Sequence, residues 1–173
     1  IAAAQVRTLV PAGLHVQEFE GSAWVGVVPF RMTGVARRPL PDLPGLSAFP
    51  ELNGRLYVER DGRPGVWFLS LDAGNTLAVW AARRWFHLPY FRADMRIEAD
   101  GEAIRYESRR RGPAPVGFSA RYEPAGPVRE AAAGSLAHWL TERYCLYAAA
   151  HDGSLWRGEV HHALRLVRGE HGF

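Results

Sequence analysis

Lysine is missing from this chain of 173 residues: all 21 of its Lys+Arg residues are arginine. A Schiff base with a carbonyl substrate needs a primary amine, and a guanidinium stays protonated, so lysine-based covalent catalysis is excluded. The bias fits a GC-rich genome, as does the abundance of Ala, Gly and Pro. With one cysteine, Cys145, the chain cannot close an internal disulfide or build a thiolate cluster, so a cytoplasmic location is expected. No apolar run approaches the ~18 residues that span a bilayer. Also absent are a Walker-type phosphate loop, GxGxxG after a strand, a GxSxG elbow and HExxH. A net charge of +3 is thin for nucleic-acid binding.

What is present supports one compact domain: 47% hydrophobic and 12% aromatic residues suffice for a sizeable core. Ile1 is not an initiator methionine, so an N-terminal segment is expected to be missing. Residues 2–9 read as a short helix stopped at Pro11. Strands are expected at 15–20 and 22–33. The proline-rich stretch 37–50 reads as an extended loop. Strands 52–59 and 66–71 flank RDGRPG, whose Asp61-Gly62 is a hairpin signal. NTLAVWAARRWF, residues 75–86, has apolar positions at helical spacing and Asn75 as N-cap. Three further strands follow at 92–99, 103–111 and 116–123, then a helix at 135–142 and strands at 143–149 and 155–167. Short turns between many strands, with two or three helices, predict an α+β fold with a curved antiparallel, barrel-like sheet.

Candidate chemistry concentrates in PELNGRLYV, residues 50–58, where Glu51, Asn53, Arg55 and Tyr57 alternate with Leu52, Gly54, Leu56 and Val58. The next strand is apolar on both faces, which implies burial on both sides and turns the polar face of its neighbour toward an interior cavity; a solvated sheet face is the alternative. Adjacent His161 and His162 point to opposite faces of a strand and cannot chelate together, so no metal is expected. SRRR, residues 108–111, reads as a solvated strand end.

FPELNGRLYV, GRPGVWFLSLDAGN, AARRWFHLPYFRADM, RYESRR and GSLAHWLTERYCLY together resemble the YqjF-like family, a domain of unknown function, over roughly residues 9–167. That family is similar in fold to acetoacetate decarboxylase, which implies a single domain of that fold enclosing a cavity. The family usually begins with a further aromatic and histidine-containing segment that this chain lacks. AARRWFHLPYFRA resembles the enzyme's proline-lysine block, with Tyr90 where the lysine would stand. The resemblance therefore implies the cavity and not the Schiff-base decarboxylation.

Two functional readings follow. In the first, the cavity binds a small anionic or carbonyl-containing ligand, with Asn53, Arg55, Arg83 and Arg143 as polar contacts and Trp67 and Phe68 as walls. In the second, a non-Schiff-base lyase or hydrolase acts on a small carboxylate, with Glu51 or Asp72 as base and Tyr90 as acid or oxyanion donor. A scaffold without ligand is the third. No cofactor, nucleic acid or membrane partner is expected, and self-association is left open.

Overall fold

The computed structural model describes residues 1–32, 49–113, 115–127 and 129–159, without the side chains of residues 77, 78, 81 and 85. The expected loop lies outside these residues up to position 48, as do His161, His162 and the end of the last expected strand. The chain divides into two compact units. Unit 1 comprises residues 1–26, 54–69 and 128–173; unit 2 comprises 27–53 and 70–127. Two strands, β5 (Phe49–Arg60) and β6 (Arg63–Ala73), are each shared between them.

Unit 1 begins with helix α1 (Ala3–Val6) and a 3-10 turn, Arg7–Leu9, after which Pro11 supplies no amide proton to continue. Val6, Val10 and Leu14 are buried against Leu56, Val58, Cys145 and Tyr147, the core of this unit. Strand β1 (His15–Val16) pairs antiparallel with β5, Val16 opposite Val58. β2 (Glu18–Phe19) and β3 (Ser22–Ala23) form a small hairpin. Asp61 and Gly62 both adopt positive φ, 53° and 71°, the geometry that a two-residue turn between right-twisted strands requires. Helix α3 (Leu136–Thr141) is capped by the Ser135 hydroxyl, which accepts from the His138 amide at 3.2 Å. The chain returns in the antiparallel pair β10 (Cys145–Ala149) and β11 (Leu155–Glu159).

Unit 2 takes most of β4 (Val25–Met32), then helix α2 (Thr76–Phe86) and the meander β7 (Tyr90–Asp100), β8 (Ala103–Arg110) and β9 (Gly117–Tyr122). Ladders run from Asp100↔Ala103 to Ala93↔Arg110 and on to Arg109↔Gly117.

The sheet is mixed, which corrects the expectation of an all-antiparallel one. β7 lies parallel to the end of β6, Leu71 beside Tyr90, and β10 lies parallel to its earlier part, Leu146 beside Val66. Parallel neighbours need a crossover, and α2 supplies it between β6 and β7. A period-two pattern is the same for either strand direction, so the sequence carried no signal for this.

Candidate functional site

Within unit 2, Glu51 is 2% exposed, and its Oε2 accepts a 2.8 Å hydrogen bond from the Tyr90 hydroxyl. Tyr106 donates to the main-chain oxygen of the same residue at 2.7 Å. Burial pushes the Glu51 carboxyl up to about 7, the Tyr90 hydrogen bond opposing it. Burial, the adjacent carboxylate charge and the shared hydrogen bond push the Tyr90 phenol well above its ordinary value, so it remains a donor at neutral pH. Asp72 has a different environment. It is buried too, but Arg110 donates to its Oδ1 from Nε at 2.9 Å and Nη2 at 2.7 Å, with the guanidinium 3.9 Å over the Phe91 ring. Asp72 anchors a cation and is not a free base; Glu51 faces phenols and can exchange a proton near neutrality.

The SRRR expectation fails at Arg110, which is half-buried on Asp72 and not solvated. Asn53 and Ser108 are buried, and neither Asn53 Oδ1 nor Ser108 Oγ has a hydrogen-bond partner among the described residues. Arg83, expected beside Tyr90, is exposed on α2. Helical rotation carries successive residues around the axis, and the face chosen for burial did not include this position.

Unit 1 holds the other group of sequence candidates. Tyr57 is buried, with its ring 4.9 Å from that of Trp139, which also meets Phe19 at 5.7 Å. Arg143 is 9% exposed and stacks on this cluster, 4.4 Å from the Trp139 ring and 5.6 Å from the Tyr57 ring. Its Nη1 donates to Gln17 Oε1 at 2.8 Å, while Gln17 Nε2 donates to Glu59 at 2.9 Å. Arg143 Nε and Nη2 are buried without a partner among the described residues. These two nitrogens form one edge of the guanidinium, the edge that receives both oxygens of a carboxylate. Burial drives the Arg143 pKa down, Tyr57 opposes that and the Arg55 charge adds to it. Arg55 lies 5.4 Å from the Tyr57 ring and donates weakly to the Tyr57 hydroxyl at 3.3 Å and the Leu140 carbonyl at 3.5 Å.

Of the expected apolar walls, Trp67 packs against the unit 1 core with its indole N–H on Leu9 O at 3.0 Å, and Phe68 is half-buried. Sequence reasoning missed Gln17, Trp139, Tyr106 and Arg110. Only Trp139 had a local signal, standing four residues before Arg143 in HWLTER.

The DUF2071 family model, described as an uncharacterized conserved protein, matches residues 1–168. The chain belongs to this family. Uncharacterized protein YqjF of Bacillus subtilis (strain 168) is 46% identical over 157 residues, which are 91% of this chain and 64% of the relative. This DUF2071 chain thus spans less than two thirds of that relative's length. The crystal structure of acetoacetate decarboxylase from Legionella pneumophila subsp. pneumophila str. Philadelphia 1 matches with a TM-score of 0.60 and 14% identity, over 89% of this chain and 56% of that one. The enduracididine biosynthesis enzyme MppR complexed with pyruvate matches with a TM-score of 0.50 and 12% identity, over 86% and 58%. The fold is acetoacetate decarboxylase-like, mostly strands with few helices. Among the described residues there is no group of three metal-binding side chains, and no helix is long and apolar enough to cross a membrane.

Proposed function

We propose that this DUF2071 chain binds a small carboxylate in unit 1, its two oxygens meeting the Nε–Nη2 edge of Arg143. One observation carries the reading: a nearly buried guanidinium presents two adjacent donors that nothing among the described residues accepts. Leaving a buried charged donor unmatched costs more than leaving a neutral one, and a ligand carboxylate removes that cost while restoring charge balance. Stacking on Trp139 and the Gln17 bond to Nη1 hold the fork in one orientation before any ligand arrives. The pyruvate complex of MppR, a structural neighbour, fits the same ligand chemistry.

Isothermal titration with pyruvate tests this. The unmodified protein is expected to bind, Arg143→Met to lose about 50-fold or more, and Arg143→Lys, a point charge without the fork, to lose about tenfold. Removing a desolvated, unmatched charge offsets the lost stacking, so the unfolding free energy of Arg143→Met stays within about 1 kcal/mol of the parent. Equal binding by Arg143→Met, or no binding of pyruvate or any other small carboxylate by the parent, refutes the reading.

A catalytic reading draws on the Glu51–Tyr90 contact in unit 2. A carboxyl titrating near neutrality suits general acid–base work, in a lyase or hydrolase that dispenses with a Schiff base.

A further inference from the structure

Arg143 is accompanied by a second cation, and among the described residues neither of them meets a carboxylate. The acid that comes nearest through a hydrogen-bonded chain, Glu59, is engaged by Gln17 Nε2. Arg55 touches only neutral oxygens, at 3.3 and 3.5 Å, the long limit of hydrogen bonding, and forms no ion pair among the described residues. Both guanidiniums lie against the same Tyr57 ring, with their Cζ atoms 5.4 and 5.6 Å from its centroid. A Cβ at Gly26 would lie 2.9 Å from the Tyr57 hydroxyl, 3.2 Å from Arg55 Cγ and 3.3 Å from Arg55 Nε, so the arrangement requires a residue without a side chain there.

We propose that Arg55 makes this a site for a short dicarboxylate, one carboxylate on the Nε–Nη2 edge of Arg143 and the other on Arg55. The proposal rests on the carboxylate reading of Arg143 and narrows it to a class of ligand. Two like charges around one ring repel, and a single carboxylate neutralises only one of them; a dianion neutralises both. Bidentate recognition at Arg143 sets the position of the first carboxylate. The half-buried Arg55 side chain, whose present contacts are weak, is released to the second. The Tyr57 ring, with both cations against it, offers an apolar surface to the carbon chain of such a ligand.

Titration calorimetry at fixed ionic strength with malonate, succinate, pyruvate and inorganic phosphate tests the assignment. One of the dicarboxylates is expected to bind at least about tenfold more tightly than pyruvate. Arg55→Gln should abolish that advantage, so that in this variant the dicarboxylate binds no more tightly than pyruvate. Gly26→Ala, with Arg55 intact, should also weaken the dicarboxylate, because the added methyl crowds both the Tyr57 hydroxyl and Arg55. Equal affinities for pyruvate and both dicarboxylates, indifferent to Arg55→Gln, overturn this proposal while the Arg143 reading stands. Phosphate binding more tightly than either dicarboxylate overturns it as well and makes this a phosphate site. Failure of every carboxylate to bind removes both readings together.

Discussion

Glu51→Gln is expected to flatten the dependence of stability on pH between about 4.5 and 7. In the folded protein this carboxyl titrates near 7, whereas its ordinary value is 4.5. An acid whose folded pKa is raised binds its proton more tightly when folded. Its contribution is complete below the unfolded pKa and is lost as pH climbs through the folded one. The interval corresponds to about 3 kcal/mol of stability lost by the parent on going from pH 4 to pH 8. Glutamine keeps the shape and an oxygen to accept from Tyr90 but has no charge to bury. Urea denaturation at both pH values should therefore give nearly equal stabilities at pH 4. At pH 8 the variant should lead by about 3 kcal/mol, equivalent to about 8 °C in Tm. Identical slopes for parent and variant would show that Glu51 does not carry the buried charge assigned to it.

The second large effect is expected at Gly65. A Cβ there would stand 2.7 Å from the Cys145 carbonyl oxygen, 3.2 Å from the Cys145 carbonyl carbon and 2.9 Å from the Tyr147 ring. Two of these three atoms belong to main chain, and the ring is buried with its hydroxyl bonded to Arg63 O at 2.9 Å. None can yield without loosening the parallel pairing of β10 on β6, so Gly65→Ala should cost about 3 kcal/mol. Gly74→Ala is the control. Its Cβ would meet only Pro50 Cδ, at 3.7 Å, and should cost under about 1 kcal/mol. A Gly65→Ala protein as stable as the control would mean that β10 does not pack against β6 as closely as described.

Most elements were legible because their signals are local. Asp61-Gly62 marked the turn between β5 and β6, and the apolar spacing of TLAVWAARRWF marked α2. Glu51 and Asn53 were singled out by parity alone, beside a strand with no polar face to offer. Partnerships were another matter. Arg110 reaches Asp72 across 38 positions and Gln17 reaches Arg143 across 126, and no spacing rule connects residues so far apart. The failure at Arg83 is different in kind: a helix gives every side chain a direction, and the sequence alone did not say which direction would be covered.

The interrupted make-up of unit 1 bears on how the chain acquires its structure during synthesis. The β7–β8–β9 meander joins neighbours in sequence, so its closure costs little entropy and it can form while the rest of the polypeptide is still being made. Unit 1 has no such freedom: the strand that seats beside Val66 and Trp67 contains Leu146 and Tyr147, and the cluster around Tyr57 waits for Trp139 and Arg143. Until translation passes these residues, the apolar side chains of the first 26 positions lack much of their cover. Completion of unit 1 thereby waits for residues 139–147, and a ribosome stalled near residue 130 would display a formed meander while the cluster around Tyr57 is still unassembled.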